Sequence, residues 1–340
     1  MHNRYWMSVA TTAMLAALSS AAAAQDAGAS CGADLGSEAY FRISHQNSPT
    51  SPIHPKLEEI VASISEATGG KLRLEIFPSA QLGGPVQALE QASLGENIIF
   101  YTQTGNLATV GVPDYSVFNG PFLTPSLEAA ERLASSALMD ELAETLAERS
   151  DLRLLAINWF DSPRVFLGQR GYPEPSDLAG VKLRSPEAPA YMRTFELLDT
   201  LPLALPFSEL YLALQQGVVE AVEGGLDGMA DANLMEVATT VTNTEHFRLF
   251  YGFAMNEGLF KGLPESCQQL LVSEFETKGS EYSIGMNEIT AAREAALREA
   301  GIVFVDANQD AYREATAEFY TLFPEWSEGL YDRAVAAMQE

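Results

Sequence analysis

Hydrophobic and polar residues follow two different periods in the first third of this chain. Residues 40–44 and 72–76 alternate between apolar and polar side chains, which predicts two strands. Between them, residues 53–67 repeat apolar side chains at helical spacing, and Gly69 and Gly70 mark the end of that predicted helix. The next predicted elements are a helix over residues 85–92 and a buried strand over residues 98–101.

Predicted strands and helices continue to alternate towards the C-terminus. One helix is predicted over residues 127–147, and another over residues 265–300 with a break or bend near Gly279 and Gly285. The other predicted elements are strands over 152–159, 181–184, 217–225 and 302–305, and helices over 188–198 and from Ser208. Alternating strands and helices predict an α/β protein with mainly parallel sheets, arranged as two lobes with a cleft between them.

The N-terminus has the pattern of a secretory signal peptide. Arg4 precedes an apolar stretch over residues 7–18, and Ala22-Ala23-Ala24 provides small residues before a cleavage point at Gln25. We therefore expect residues 1–24 to be removed on export to the periplasm, and residues 25–38 to form a flexible lead. No later segment is apolar enough to predict a membrane span.

The charge balance argues against one class of partner, and the cysteine content predicts a disulfide. Lys and Arg total 20 against 46 Asp and Glu, so an acidic surface argues against nucleic acid as a partner. The two cysteines, Cys31 and Cys267, are expected to bond in an oxidising compartment. Two separate buried thiols are the alternative.

Positive charge is scarce, which draws attention to Arg164, Arg170 and Arg184. Arg184 lies in the apolar segment VKLRSP, and a guanidinium near a core requires an anionic partner. Its planar fork matches a carboxylate through two hydrogen bonds. An internal salt bridge to one of the many acidic residues is the alternative interpretation.

The sequence gives little support for catalysis. It contains neither a Gly-x-Ser-x-Gly nor a His-Glu-x-x-His pattern, and the histidines after residue 24 are His45, His54 and His246. Their spacing predicts no metal site, and we expect no catalytic residues and no cofactor.

Four segments together carry a family resemblance. They are PSAQLG at 78–83, PFL at 121–123, DLAGVKLR at 177–184 and PFSELYLALQQGVVE at 206–220. From about Phe41 to about Phe323 the chain resembles the substrate-binding protein of a tripartite ATP-independent periplasmic (TRAP) transporter, of the DctP type. The resemblance implies a two-lobed periplasmic binding protein of the Venus-flytrap kind, with a long helix linking the lobes. It also implies a carboxylate ligand and membrane permease subunits as partners, without catalysis or ATP.

The resemblance also implies a division into lobes. We expect residues 39–161 plus 250–289 to form lobe I and residues 162–249 plus 290–340 to form lobe II.

The resemblance assigns ligand contacts residue by residue. Arg184 matches the carboxylate-binding arginine, and Arg164 matches a second arginine that faces the carboxylate in some members. Phe207 matches an aromatic residue that packs on the ligand. The further candidates are Arg170, Gln46 with its neighbour His45, Gln103, and Trp159 as a wall of the cleft. For Arg170 a structural role, and for Trp159 ordinary core packing, are the alternatives.

One segment departs from the family pattern. Many relatives read Asp-Gly-x-Glu-Asn where this chain has Glu220-Ala-Val-Glu223-Gly224, so Gly224 replaces a ligand-contacting Asn. We expect Gly224 to leave room for a bulkier ligand or a backbone contact. Glu223 then either faces a ligand hydroxyl or amine, or has a structural role as a lobe-surface acid or a partner for an arginine.

Other functions remain open at this stage. A receptor for an ATP-driven importer or a sensor kinase has the same clamp geometry, and an exported enzyme on a similar fold or a structural protein of the cell envelope are further alternatives. A monomer is the expected state.

Overall fold

The computed structural model describes residues 30–186 and 188–339, so the predicted signal peptide lies outside the described residues. The chain divides into two compact units. Unit 1 contains the described residues up to Tyr101, Asp151–Ala156 and Phe253–Lys278. Unit 2 contains Thr102–Ser150, Ile157–Gly252 and the described residues from Gly279 onwards.

Strands and helices alternate through both units, as predicted. The strands are β1 (Ala39–Ser44), β2 (Leu72–Phe77), β3 (Ile98–Gln103), β4 (Leu152–Phe160), β5 (Arg164–Gly168), β6 (Lys182–Ser185), β7 (Leu201–Ala204), β8 (Ala221–Gly225), β9 (Thr240–Asn243), β10 (Phe250–Asn256) and β11 (Val303–Asp306). The α-helices are α1 (Ile53–Ala67), α2 (Pro85–Ser93), α3 (Thr104–Thr109), α4 (Leu127–Ala134), α5 (Ala137–Ser150), α6 (Pro189–Leu197), α7 (Leu210–Gln215), α8 (Leu226–Asp231), α9 (Glu257–Lys261), α10 (Glu265–Glu299), α11 (Gln309–Ala315) and α12 (Leu330–Ala337). Short 3₁₀ helices cover Pro113–Asn119, Pro175–Leu178, Phe207–Glu209, Leu234–Glu236 and Ala317–Thr321.

The first sheet has the strand order β2-β1-β3-β10-β4. Strand β1 pairs in parallel with both β2 and β3, as expected for strands joined through helices. The connecting helix α1 buries Ile53, Leu57, Ile60 and Ile64, which repeat at helical spacing. The apolar period therefore predicted this strand-helix-strand unit correctly.

The second sheet has the order β11-β9-β5-β8-β6-β7. Pairings of β6 with β7 and β8, and of β11 with β9, are parallel, which confirms the prediction of mainly parallel strands. Strand β5 is the exception, because it runs antiparallel to both β8 and β9. The hydrophobic pattern predicted no strand over residues 164–168.

Both faces of the second sheet are covered by apolar side chains. Val165 and Leu167 of β5 pack in one core cluster with Val222 and Met229. Phe166, which lies between them in the chain, belongs to a second cluster with Tyr191 and other aromatic residues. Because side chains on a strand alternate between faces, the two clusters cover opposite sides of the sheet.

Two helix predictions need correction. The single helix predicted over residues 127–147 is two helices, α4 and α5, since Ser135 ends the first and the Ser136 hydroxyl accepts the Met139 N–H of the second. The break predicted near Gly279 and Gly285 does not occur, and α10 is continuous over 35 residues. A Cβ at Gly279 would clash with Asn158 Oδ1, so this glycine permits close packing of the helix against that residue.

No helix within the part of the chain that the structure describes is long and apolar enough to cross a membrane.

The N-terminal lead is attached to unit 1. Residues 30–34 are helical, Cys31 is buried and bonds to Cys267, and Lys71 Nζ donates to the Gly32 carbonyl. The predicted disulfide is therefore present in the structure. Cys31 and Gly32 of the predicted flexible lead are therefore attached to unit 1, and flexibility of the rest of the lead stays a prediction.

We predict that replacing both cysteines, in the variant Cys31→Ala with Cys267→Ala, lowers the thermal midpoint. The bond joins residues 236 positions apart, and a bond closing such a long loop is expected to contribute about 2–4 kcal/mol. Differential scanning calorimetry with and without reductant measures the effect. Reductant is expected to lower the midpoint of the parent protein but not of the variant, and equal midpoints for all four samples would contradict the prediction.

Candidate functional site

A buried ion pair links β5 and β8 in unit 2. The antiparallel register pairs Arg164 with Gly225 and Phe166 with Glu223, so Arg164 and Glu223 are diagonal neighbours on one face. Arg164 Nε donates to Glu223 Oε2 at 2.5 Å and Nη2 donates to Oε1 at 2.7 Å. The Glu223 side chain is 0 % exposed. Glu223 is therefore a partner of an arginine, which is one of the two roles considered for it.

Arg184 lies beside this pair on β6, where the register places it opposite Val222 of β8. Its Nε donates to the Leu205 carbonyl at 2.9 Å, and its Nη1 is 4.0 Å from Glu223 Oε1. The Glu223 carboxylate is thus bound more closely by Arg164 than by Arg184. The ring of Phe207, 46 % exposed, lies 6.0 Å from the Arg184 Cζ. This arrangement places a buried cation beside an exposed aromatic surface.

A polar network approaches Arg164 from helix α6. The Tyr191 ring centroid lies 5.6 Å from the Arg164 Cζ. The Tyr191 hydroxyl donates to Gln103 Oε1 at 3.1 Å and accepts from Asn119 Nδ2 at 3.2 Å. Gln103 is therefore connected to Arg164 through Tyr191.

His246 completes the surroundings of Glu223. Its ring stacks on Phe166 with centroids 4.5 Å apart, and its Nδ1 lies 2.7 Å from the Thr244 hydroxyl. Its Nε2 is 3.7 Å from Glu223 Oε2, which is beyond ordinary hydrogen-bond distance. We call Arg164, Arg184, Glu223, Tyr191 and His246 the arginine cluster.

The protonation states follow from burial and pairing. Burial raises the pKa of Glu223, but the positive charge of Arg164 outweighs burial and brings the pKa to about 2. Burial lowers the pKa of Arg164, and the Glu223 carboxylate reverses this, so the pKa rises above its ordinary value. Burial lowers the pKa of His246 below its ordinary value, so the ring is neutral at neutral pH.

Two candidates have structural contacts instead. Arg170 follows the end of β5 opposite to Arg164, its Nη2 donates to the Asp177 carbonyl at 2.8 Å and its Cζ lies 4.8 Å from the Tyr172 ring centroid. Trp159 is fully buried and packs on Tyr282, with ring centroids 5.2 Å apart. For both residues the structure favours the structural alternative over the ligand contact.

The interpretation of Gly224 needs correction. A Cβ at this position would lie 3.1 Å from Met229 Cγ and 3.3 Å from its Sδ. The Met229 side chain fills the space beside Gly224, so the glycine does not leave room for a larger ligand.

Two candidates belong to unit 1. Gln46 is exposed at the end of β1. His45 is buried, and its Nε2 lies 3.1 Å from His54 Nδ1. Ligand contact by these residues, and by Arg184, Arg164, Phe207 and Gln103, stays a prediction.

Sequence reasoning did not identify Tyr191 and Asn119, and it treated His246 only as a packing residue. A tyrosine inside an amphipathic helix has the pattern of a core residue, and its hydroxyl partners lie 88 and 72 positions away in the chain. The one available signal was the location of Tyr191 in the helix directly after the arginine segment. Among the described residues, no group of three or more His, Cys, Asp or Glu is placed to hold a metal ion.

Comparison with known proteins gives consistent matches. The profile of the DctP family, described as bacterial extracellular solute-binding protein, family 7, matches residues 43–325. A solute-binding protein of Roseobacter denitrificans is 27% identical over 299 residues, covering 86% of this chain and 91% of the relative. The C4-dicarboxylate-binding periplasmic protein DctP of Rhodobacter capsulatus is 25% identical over 278 residues, covering 82% and 81%. A crystal structure of a TRAP periplasmic solute-binding protein from Ochrobacterium anthropi with bound L-fuconate has a TM-score of 0.82 at 25% identity, covering 89% and 100%.

These matches define the class as an extracellular solute-binding protein. The chain belongs to the DctP family of such proteins. It is a substrate-binding protein of the TRAP type, and the predicted resemblance is confirmed. Proteins of this type are periplasmic receptors that bind small molecules and work with the membrane subunits of a transporter.

We predict that breaking the Arg164–Glu223 pair from one side destabilises the protein more than removing both partners. Glu223→Gln leaves a buried cation without its anion, which is expected to cost about 3–5 kcal/mol. The double variant Arg164→Met with Glu223→Leu is expected to be closer to the parent in its free energy of unfolding. Urea unfolding of the parent, Glu223→Gln, the single variants Arg164→Met and Glu223→Leu, and the double variant measures these losses and the coupling. Additive losses would show that the pair contributes no coupling energy.

We also predict that His45 makes stability depend on pH. Burial lowers the pKa of His45 from 6.5 to about 4, and His54 adds to this shift. As the pH falls below about 6.5, the unfolded chain takes up a proton first, so the free energy of unfolding decreases down to about pH 4. His45→Gln is expected to lose less stability over this range, measured by urea unfolding at pH values inside and above it. Parallel pH profiles for the parent and the variant would contradict the assignment.

Proposed function

We propose that this receptor binds a small organic acid, with the ligand carboxylate paired to Arg184 and the ligand body packed against Phe207. The supporting observation is the arrangement of Arg184 and Phe207. The Arg184 side chain is 5 % exposed, and it lies beside the exposed aromatic ring of Phe207. A planar guanidinium binds a carboxylate through two parallel hydrogen bonds, and exclusion of water strengthens that contact.

Arg164 has a different part in this proposal. Its Nε and Nη2 donate to Glu223, so its position is set before any ligand arrives. The remaining polar groups near it, Tyr191 and Gln103, are neutral hydrogen-bonding side chains suited to hydroxyl or carbonyl groups of the ligand body.

The ligands of the relatives support a carboxylate as the group that this protein binds. The Rhodobacter capsulatus relative is named for C4-dicarboxylates, and the solved structure from Ochrobacterium anthropi contains L-fuconate. Both ligands carry at least one carboxylate and differ in the rest of the molecule. We therefore extend to this chain the carboxylate contact and leave the ligand body to be identified.

We further propose that residues 1–24 direct export to the periplasm, where the protein acts as a monomeric receptor without enzymatic activity. It would deliver its ligand to the membrane permease subunits of a TRAP transporter. Mass spectrometry of the mature N-terminus and size-exclusion chromatography with light scattering test the export site and the monomer. Turnover of the bound acid by the pure protein would contradict a receptor without activity.

We predict that Arg184→Ala weakens binding of the cognate acid by at least about 30-fold, since loss of a buried charge contact costs 2 kcal/mol or more. Arg184→Lys keeps the charge but loses the fork, and an intermediate loss is expected. A thermal-shift screen of organic acids supplies the ligand, and isothermal titration calorimetry measures its affinity. Arg170→Ala is the matched control, because this exposed arginine lies at the other end of β5. Equal affinities for Arg184→Ala and Arg170→Ala would remove the site assignment.

A further inference from the structure

We propose a second anion-binding site in unit 2, formed by Arg248 and Arg313, that accepts a carboxylate group. The site is a small polar recess of about 40 Å³. Its lining residues are Phe122, Thr124, Pro125, Pro163, Glu245, Arg248, Gln309 and Arg313. None of them belongs to the arginine cluster, so this site is additional to the proposed ligand site.

The first argument is an unsatisfied donor. Arg248 is partly buried, and its Nε is a buried atom with no hydrogen-bond partner among the described residues. A buried N–H of a charged group without a partner is expensive, so a site that supplies an acceptor gains free energy. A carboxylate oxygen is the acceptor that a guanidinium binds most strongly.

The second argument is the charge of the lining. Arg248 and Arg313 contribute two positive charges to the recess, and Glu245 contributes one negative charge. Glu245 and Glu128 both interact electrostatically with Arg248, and Arg313 Nη1 donates to the exposed Asp310 at 2.9 Å. Two arginines at one recess stand out on a chain with a net charge of −26, since the general field of such a protein repels anions.

The third argument is backbone conformation. Phe122 and Glu245 both have positive φ values, 54° and 50°. For a bulky residue such as phenylalanine this region is an outlier, and such strain is concentrated at functional sites. The two strained residues lie on two loops of the lining, which meet where the Phe122 N–H donates to the His246 carbonyl at 2.8 Å.

The recess therefore adjoins the arginine cluster through the backbone. Glu245 and Arg248 line the recess on either side of His246 and Phe247, and Pro163 lines it directly before Arg164. The Arg164 N–H donates to the Phe247 carbonyl at 2.9 Å, so the same short segments hold both sites. An occupant of the recess would contact the segments that position His246 and Arg164.

Acetate is the probe for this site, and the Arg248 Nε–H signal in ¹H–¹⁵N spectra is the readout. The titration is carried out in the full-length mature protein carrying Arg184→Ala, so that the proposed ligand site does not contribute. We expect a saturable shift of the Arg248 signal with a dissociation constant in roughly the millimolar range, typical of one carboxylate on a guanidinium. Sodium chloride at the same ionic strength is the control and is expected to give no saturable shift.

Variants identify the residues responsible. Arg313→Gln changes an exposed side chain and is expected to weaken acetate binding at least tenfold without loss of folding. Arg170→Gln removes an exposed arginine outside both sites, and its acetate binding is expected to match that of the Arg184→Ala background.

The source of the carboxylate is tested by a second titration. N-acetyl-aspartate amide presents the same group on a peptide-like backbone. Tighter binding than acetate would indicate an acidic side chain of a protein partner, and weaker binding would indicate a free small acid; both outcomes support the site. Absence of a saturable shift with either probe, an equal shift with chloride, or unchanged binding in Arg313→Gln would each overturn it. Because Arg184 is absent throughout, these results do not depend on the proposed ligand site.

Discussion

The Arg164–Glu223 ion pair is the interaction on which the rest of the site depends. Removing two charges from water is costly, and apolar side chains of similar size often stabilise a core as well or better. A pair as buried as this one is therefore weak evidence for stability alone. Its geometric effect is clear: it sets the position of a guanidinium above Tyr191, and it places a carboxylate between Arg164 on one side and Arg184 on the other.

That placement gives the two arginines different tasks. Arg164 donates two hydrogen bonds to Glu223, while the strong donor contact of Arg184 at Nε is to a backbone carbonyl. Glu223 lies at 4.0 Å from Arg184 Nη1, where it still contributes favourable electrostatics and helps to hold the second cation in the core. The cluster thus holds two like charges close together without leaving either unpaired.

Local patterns predicted the local structure well. Helix α1 has the predicted bounds, because its apolar stripe and the glycines that follow it are all within a few turns of each other. The disulfide was predictable from the cysteine count and the compartment. Strand β5 was not, because its partners β8 and β9 lie far along the chain and its register depends on both. The ion pair between Arg164 and Glu223, which lie 59 positions apart, was unpredictable for the same reason. Both residues were candidates from the sequence, but their contact depends on the register of β5 against β8.

Gly224 shows why a single substitution is hard to interpret from sequence. The missing side chain suggested empty space, yet Met229 occupies that space, and a Cβ there would lie 4.0 Å from Arg164 Nη2. A Cβ at this position would press on Met229 and would be in ordinary van der Waals contact with the guanidinium that Glu223 binds. The glycine is therefore better explained by the packing of its neighbours in the core than by the size of a ligand. The same reasoning applies to Gly279, where the close approach of Asn158 and Trp159 to helix α10 requires a residue without a side chain.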